Sequence, residues 1–166
     1  MEFVILVDKD DNETGTMEKM EAHQKGILHR AFSILIFNDN NEMLLQQRAD
    51  GKYHSAGLWT NTCCSHPHPE EELLISAQKR LQYEMGFSCE LNVIGKFIYK
   101  TPLENNLTEH ELDYVLTGKY SGDVFPDAEE VKNYKWISTG DVKKEIETTP
   151  DVFTFWFKEI VKEFQF

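Results

Sequence analysis

Nine residues, Trp59-Thr60-Asn61-Thr62-Cys63-Cys64-Ser65-His66-Pro67, lead directly into the clearest predicted helix of the chain, which runs from Pro69 to Met85. Acidic residues at 70–72 suit the positive end of a helix dipole, and Gly86 is a typical C-terminal stop. Apolar side chains recur at helical spacing, which predicts a core-facing stripe made of Leu74, Ala77, Leu81 and Met85. A polar loop followed by an amphipathic helix is thus the centre of the predicted fold.

Short apolar runs on both sides of this segment predict strands. These runs cover residues 3–7, 31–37, 43–47, 96–101, 111–117 and 134–137. Turn-forming residues at 38–41 predict a hairpin between the second and third runs, those at 105–106 join the fourth and fifth, and Gly15-Thr16 predicts a further turn. Shorter helices are predicted near 17–23, 139–147 and 151–164. Because the βαβ spacing is irregular, we expect an α+β fold with a mixed sheet, in one domain spanning residues 1–166.

The composition excludes several classes of protein. A formal net charge of −12 argues against nucleic-acid binding, which depends on Lys and Arg that neutralise phosphates. An anionic small molecule is compatible with that charge only if a local cationic pocket or metal ions attract it. The apolar run at 3–7 is too short for a signal peptide or a membrane span, and three cysteines do not form a disulfide framework. We therefore expect a cytoplasmic protein without a membrane or nucleic-acid partner.

The adjacent cysteines Cys63 and Cys64, with His66 two residues beyond, are the first candidate for chemistry. A thiol becomes reactive beside positive charge, a metal or a helix N-terminus, and all three are plausible here. The alternative is a tight loop with two small buried cysteines, because free cysteine is among the most buried residue types. The loop by itself leaves both interpretations open.

A second candidate is a set of histidines and carboxylates. Glu109 and Glu111 are two apart on a predicted strand, so that both carboxylates face one side while His110 faces the other. A solvated strand face is the simpler interpretation of that pair. With His23, His29 and His66, however, the two glutamates would supply three nitrogens and two oxygens, a set that suits Mn²⁺, Fe²⁺ or Zn²⁺.

Several basic and aromatic residues remain ambiguous from the sequence. Arg80 and Glu84 lie four apart on the long helix and are either a surface ion pair or a phosphate and hard-cation site. Arg48 and Lys52 precede the cysteine loop and are either solvated or phosphate-binding. Trp156 lies in an aromatic run and is first interpreted as a core residue.

Taken together, the chain resembles the type 1 isopentenyl-diphosphate isomerases. The resemblance covers nearly the whole sequence in order. It is carried by Thr14-Gly15-Thr16, Lys19, His23, His29-Arg30-Ala31-Phe32-Ser33, Trp59 to Pro67, Arg80, Tyr83-Glu84-Met85-Gly86, Glu109-His110-Glu111 and Tyr134-Lys135-Trp136. This family has a Nudix-like fold, which implies an α/β/α sandwich around a mixed sheet.

The resemblance also implies roles for individual residues. His23, His29, His66, Glu109 and Glu111 would bind a divalent transition metal, with Mn²⁺ first and Zn²⁺ or Fe²⁺ as alternatives. Glu84 would help to hold Mg²⁺ on the substrate diphosphate, and the diphosphate itself would meet Lys19, Arg48, Lys52 and Arg80. Cys64 would be the catalytic thiol, opposed by Glu111 with Tyr99, and Trp156 would face the developing carbocation. The implied substrate is a small isoprenoid diphosphate, and we expect a monomer or a weak homodimer.

Two other functions compete with this one. A Nudix hydrolase carries the box G-x5-E-x7-R-E-U-x-E-E-x-G-U, where U is aliphatic. The equivalent positions here are Ser65, Glu71, Lys79-Arg80-Leu81, Tyr83-Glu84 and Gly86-Phe87, so much of the carboxylate cluster that holds Mg²⁺ is missing. The second alternative is a structural zinc module built on the cysteine loop, although no second cysteine pair exists to complete it.

Overall fold

A nine-stranded mixed sheet lies at the centre of the structure, a computed structural model that describes residues 1–166. The strands are β1 Phe3–Val7, β2 Glu13–Glu18, β3 His29–Phe37, β4 Glu42–Arg48, β5 Trp59–Thr60, β6 Cys63–Ser65, β7 Asn92–Pro102, β8 Thr108–Lys119 and β9 Val131–Ser138. The helices are α1 Lys19–Lys25, α2 Leu73–Met85, α3 Thr139–Thr148 and α4 Phe155–Phe164, with a 3₁₀ turn at Pro150–Val152. No helix combines the length and the apolar character needed to cross a membrane.

Strand β3 organises the sheet. It runs parallel to β8 over its whole length and antiparallel to the short strand β6. Strand β8 continues into an antiparallel pair with β7, and β4 pairs antiparallel with β9. The β3–β8 register sets His29 opposite Glu111, while the β7–β8 register sets Tyr99 opposite the same glutamate. The sheet thereby brings three predicted site residues from distant parts of the chain side by side.

The alternation of side chains along β3 builds two separate cores. Phe32, Ile34 and Ile36 face helix α2, where they pack with Leu81 and Met85. Leu35 faces the other way, into a cluster formed with strands β4, β7, β8 and β9 and helices α3 and α4. Helices thus cover both faces of the sheet, and the predicted α+β sandwich with a mixed sheet is confirmed.

Two local predictions were wrong, and a third held only in part. Gly15-Thr16 is not a turn but lies within β2, where pairing with Leu6 and Ile5 of β1 overrides the local signal. The predicted hairpin of β3 and β4 forms at its turn, where Phe37 pairs antiparallel with Met43, but β4 then leaves β3 to pair with β9. Helix α4 begins at Phe155 rather than at 151, since the preceding residues form the 3₁₀ turn.

The long helix also differs from its prediction at the N-terminus. It begins at Leu73 rather than at Pro69, because Glu70 has a left-handed φ of 68° that helical geometry does not allow. The acidic residues 70–72 therefore precede the helix, and its first turn carries no acidic side chain. Leu74 is exposed, whereas Ala77, Leu81 and Met85 of the predicted stripe are buried. The stop at Gly86, in the left-handed conformation, is as expected.

Candidate active site

The adjacent cysteines of β6 have opposite environments. Side chains alternate along a strand, so Cys63 is fully buried in the core beneath α2, whereas Cys64 packs on the other face of the sheet with α4. Because the two thiols lie on opposite faces, they do not bind a common ion, which removes the structural zinc site as an explanation of the loop.

Cys64 is held by three polar neighbours. The indole N–H of Trp156 donates to its Sγ at 3.1 Å, the thiol donates to Oδ1 of Asn61 at 3.1 Å, and Oγ of Ser33 lies 3.6 Å away. Burial, together with the charge of Asp113, raises the pKa of Cys64 to about 12. The group is therefore a neutral thiol at physiological pH, and its position is set by hydrogen bonds on several sides.

Beside this thiol, histidines and carboxylates converge on one point. The Nε2 atoms of His29 and His66 lie 3.0 and 2.7 Å from the same oxygen of Glu111. The hydroxyl of Tyr99 donates to the other oxygen of Glu111 at 2.7 Å and is also in hydrogen-bond contact with Glu109. One potential ligand atom from each of four residues, namely His23, His29, His66 and Glu111, lies within 4.8 Å of the other three. The solvated strand face is wrong, since both glutamates are buried.

The tautomers of the histidines suit a metal. Nδ1 of His23 lies 2.7 Å from the carbonyl oxygen of Lys19, and Nδ1 of His29 lies 2.8 Å from that of Ile27. A carbonyl oxygen only accepts, so each Nδ1 carries a hydrogen. In the neutral ring of His23 the Nε2 lone pair therefore points towards the cluster. Although burial opposes it, the hydrogen bond with Glu111 raises the pKa of His29, so Nε2–H of His29 donates to that carboxylate and would give up its hydrogen to a metal. Nε2 of His23 is completely buried and has no hydrogen-bond partner. An unpartnered lone pair beside carboxylates is what a bound divalent cation would satisfy.

The pKa values show which groups of this cluster favour the neutral form and which favour the charged form. Burial lowers the pKa of His23 to about 4, so this ring is neutral. Burial and the neighbouring charge of Glu111 raise the pKa of Glu109 well above its usual range. Burial would raise that of Glu111 too, but the charge of His66 and hydrogen bonds from His29 and His66 bring the pKa of Glu111 well below it. Without a cation, protonation is therefore favoured at Glu109 over Glu111.

The sequence analysis missed His54, which lies in the loop between β4 and β5. The ring is only 4% exposed, and its Nε2 lies 3.3 Å from Oε2 of Glu109. It makes a second group of potential metal-binding atoms with His23 and Glu109. A single histidine in a polar loop has no spacing signal, and only the folded loop brings it to the carboxylates.

One pocket gathers most of the predicted site. Its lining includes Lys19, Arg48, Lys52, Cys64, His66, Arg80, Tyr99, Glu109, Glu111 and Trp156. His23 and His29 are fully buried behind this surface. The four basic residues supply the local positive charge that an acidic protein needs if it is to bind an anion. Trp156 is both a core residue and a wall of the pocket.

Glu84 lies apart from the histidine cluster. Its buried carboxylate accepts from Nε2 of Gln46 at 3.0 Å and from Nε of Arg80 at 2.6 Å, so the pair is not an ordinary surface ion pair. Arg80 and Lys52 both form ion pairs with Glu130. The structure therefore places Glu84 behind the basic residues rather than among the ligands of the histidines.

The positions of the Nudix box lack a carboxylate cluster. Glu71 lies before α2 and contacts Ser76 and Lys79, while Tyr83 is half exposed. Glu84 is the only buried carboxylate of the helix. The group of acidic side chains that a Nudix hydrolase uses is thus not assembled on this face.

Comparison with known proteins agrees with this geometry. The NUDIX domain model matches residues 27–157. Isopentenyl-diphosphate Delta-isomerase 2 of Photorhabdus laumondii is 48% identical over 160 residues, which cover 96% of this chain and 90% of that protein. The chain belongs to the isopentenyl-diphosphate Delta-isomerase family. A further member of this family, from Serratia proteamaculans, is 47% identical over 162 residues, or 98% of this chain and 90% of its own length.

Solved structures support the fold of this isomerase family member. A crystal structure from Deinococcus radiodurans superposes with a TM-score of 0.80 over 97% of this chain and 98% of that one, at 11% identity. A MutT protein from Methanosarcina mazei superposes with a TM-score of 0.67 over 82% of this chain and 92% of that one, at 19% identity. At such low identity the likeness concerns the fold alone. The NUDIX domain is accordingly the scaffold of this isomerase and not a sign of hydrolysis.

Proposed function

We propose that this protein is an isomerase that interconverts isopentenyl diphosphate and dimethylallyl diphosphate, a step of isoprenoid biosynthesis. The observation that carries the proposal is one pocket in which Cys64 and the Glu111–Tyr99 pair meet, with four basic residues at its edge. Moving a carbon–carbon double bond requires one proton to arrive and another to leave. Two separate proton-transfer groups in one pocket serve that purpose.

In one direction, a proton from the Glu111–Tyr99 side adds to the terminal alkene carbon and leaves a tertiary carbocation. Cys64, as a thiolate, then removes a proton from the carbon nearer the diphosphate, and the new double bond forms. In the opposite direction the thiol of Cys64 donates and Glu111 accepts. The thiol form that the pocket favours is therefore the starting state of that opposite direction.

The hydroxyl of Tyr99 explains how Glu111 can hold a proton. It lies within hydrogen-bond distance of both Glu109 and Glu111, so its single hydrogen goes to one carboxylate while its oxygen accepts from the other when that one is protonated. His29 and His66 currently stabilise the charged form of Glu111. If these rings lose the hydrogen at Nε2 and are engaged elsewhere, that stabilisation is lost and protonation of Glu111 becomes easier.

The aromatic face of Trp156 is suited to the carbocation. Cations are attracted to indole rings within about 6 Å, with a stabilisation of about 0.5–2 kcal/mol. The guanidinium of Arg48 already lies 5.3 Å from the centre of this ring. Trp156 also gives the pocket an apolar wall from α4, which would help to keep water from the reactive carbon.

The protein has to bind the diphosphate without letting it leave the carbon skeleton as a leaving group. Lys19, Arg48, Lys52 and Arg80 are the proposed partners of its oxygens, since Arg binds them as a fork and Lys as a point charge. Arg80 is presently engaged with Glu84 and Glu130. Glu84 is the proposed partner of Mg²⁺ on the diphosphate, a role for which its carboxylate has to exchange Arg80 for the ion.

The residues that would hold a transition metal are His23, His29, His66, Glu109 and Glu111. Mn²⁺ is the first choice for three imidazoles and two carboxylates, and Zn²⁺ and Fe²⁺ are the alternatives. When bound, such an ion offsets the two buried carboxylate charges and makes a carboxyl group that it holds more acidic. We also retain the cytoplasmic location, the single domain, the absence of a nucleic-acid partner and the monomer or weak homodimer as predictions.

One experiment separates the isomerase from a hydrolase. The protein is incubated with isopentenyl diphosphate, Mg²⁺ and Mn²⁺ in heavy water, and the products are analysed by NMR. Dimethylallyl diphosphate that carries deuterium is the expected product, because the added proton comes from a solvent-exchanged group. Release of phosphate or of a monophosphate, without movement of the double bond, would instead establish a hydrolase.

A further inference from the structure

Six side chains that could bind a metal lie in or behind this pocket, one more than the five so far considered. The additional one is His54, which approaches from the loop between β4 and β5. Potential ligand atoms of His23, His54 and Glu109 all lie within 4.8 Å of one another, as do those of the larger group around Glu111. His23, whose Nε2 has no hydrogen-bond partner, belongs to both groups and so connects them.

The orientation of His54 is fixed by its surroundings. Nδ1 contacts Oγ of Ser55 at 3.0 Å, which turns Nε2 towards Oε2 of Glu109, 3.3 Å away. The rings of Tyr53 and Trp156 pack edge-on against the imidazole, with centres 4.5 and 5.8 Å from it. A side chain held in this way presents one nitrogen to the carboxylates and has little freedom to turn elsewhere.

The other histidines outside the cluster behave differently. His68 is exposed, and Nδ1 of His110 lies 3.1 Å from the carbonyl oxygen of Gly26, away from the pocket. His54 therefore does not reach Glu109 merely because the chain is rich in histidine. It is the single additional imidazole that the fold delivers to the carboxylate pair.

We propose that His54 is a sixth protein ligand of the divalent metal, alongside His23, His29, His66, Glu109 and Glu111. This inference rests on the metal site of the proposed function. Mn²⁺ and other octahedral ions take six ligands, whereas Zn²⁺ prefers four, so a six-residue site favours the former. A site with six protein ligands would also leave no coordination position for water.

The competing account is a hydrogen bond alone, in which His54 only orients Glu109. Both accounts predict weaker metal binding after substitution, because partners of ligands also affect affinity. The two accounts differ in the effect of the substitution on the coordination of the metal. Removing a ligand opens a coordination position that a small imidazole can occupy, whereas removing an orienting group opens none.

The test uses the full chain, stripped of metal with a chelator and titrated with Co²⁺, whose visible absorption reports its coordination. His54→Ala should weaken Co²⁺ binding by about 10-fold or more and change the absorption spectrum. Added imidazole should then restore the spectrum of the unsubstituted protein. His54→Gln, which keeps more of the buried volume, should also change the Co²⁺ spectrum, and that change decides the matter if His54→Ala does not fold, because loss of an orienting group alone leaves the set of ligands and the spectrum unchanged. The melting temperatures of the metal-free variants report folding.

Two control variants show whether a negative result concerns His54 alone or the whole proposed metal site. His68→Ala removes an exposed histidine and should bind Co²⁺ like the unsubstituted protein. His66→Ala removes a member of the five-residue set and should bind weakly. If His66→Ala binds weakly while both His54 variants retain affinity and spectrum, or if imidazole does not restore the spectrum, the role of His54 as a ligand is overturned and the five-residue site stands. If His66→Ala also binds normally, the proposed metal site itself is wrong, and the proposal for His54 fails with it.

Discussion

The indole Nε1–H of Trp156 donates a hydrogen bond to Sγ of Cys64 across 3.1 Å, although 92 residues separate them in the chain. This contact makes helix α4 part of the pocket as well as a cover over the sheet. The proposed mechanism gives Trp156 two tasks, since its N–H positions the thiol and its ring is proposed to face the carbocation. Substitutions of this residue separate the two.

Trp156→Phe should retain more activity than Trp156→Leu. Both variants lose the hydrogen bond to Cys64, but only phenylalanine keeps an aromatic face, and cation–π stabilisation is worth about 0.5–2 kcal/mol. Turnover is measured beside the melting temperature, because the residue is also buried in the core. Equal turnover of the two variants at equal stability would rule out the cation–π role.

Cys64→Ala should abolish isomerisation while Cys63→Ala retains most of it. Cys64 lines the pocket, whereas Cys63 lies in the core beneath α2 on the opposite face of the sheet. The Cys63 variant should lose some stability, since a small cavity remains in a packed core. Steady-state turnover measures the activity of the two variants, and the melting temperature measures their stability. An inactive, well-folded Cys63 variant beside an active Cys64 variant would show that the wrong thiol has been assigned.

Glu111→Gln should lose more activity than Glu109→Gln. Both carboxylates are proposed metal ligands, but only Glu111 is also proposed to transfer a proton, a contribution of about 10²–10⁴-fold in rate. The comparison is made at saturating Mn²⁺ and Mg²⁺ so that weaker metal binding does not determine the result. Two equal and modest losses would contradict the second role of Glu111.

Arg80→Ala should raise KM much more than it lowers kcat. A hydrogen bond to a charged group is worth about 1.5–3 kcal/mol, or roughly 10- to 100-fold, and the diphosphate is bound similarly throughout the reaction. The variant should also melt earlier, because Glu84 is left buried without its partner. Lys79→Ala is a matched control, since this neighbouring lysine is exposed and pairs only with Glu71. An unchanged KM would remove Arg80 from the diphosphate site.

Cys64 should react slowly with iodoacetamide near neutral pH. Its pKa is raised from an ordinary value of 9.0 to about 12, so the reactive thiolate is scarce, and the rate should rise roughly tenfold per pH unit. The same shift favours the folded state below about pH 9, and this contribution is lost as pH rises towards 12. Mass spectrometry of the modified peptides, with half-buried Cys89 for comparison, gives the rate. Rapid modification at neutral pH would mean that the pocket stabilises the thiolate.

Several features could be predicted because they depend on local chemistry. The turn residues at 105–106 fix the β7–β8 hairpin, and the left-handed Gly86 ends α2, since neither needs a distant partner. The spacing of Glu109 and Glu111 placed both carboxylates on one face of a strand. The motif residues likewise indicated the family, which the relatives confirm. Local signals failed where distant pairing outweighed them, as at Gly15, which pairs with Leu6.

The sequence by itself therefore determined most of the longer elements, the reactive residue types and the family. Only the tertiary structure decided which of these residues meet. The parallel pairing of β3 with β8 sets His29 beside Glu111, the docking of α4 brings Trp156 to Cys64, and the folded loop carries His54 to Glu109. The physical reason is that such contacts join segments many residues apart. These contacts are stabilised by burying side chains of several elements at once, and a local sequence pattern does not contain the total free energy of that burial.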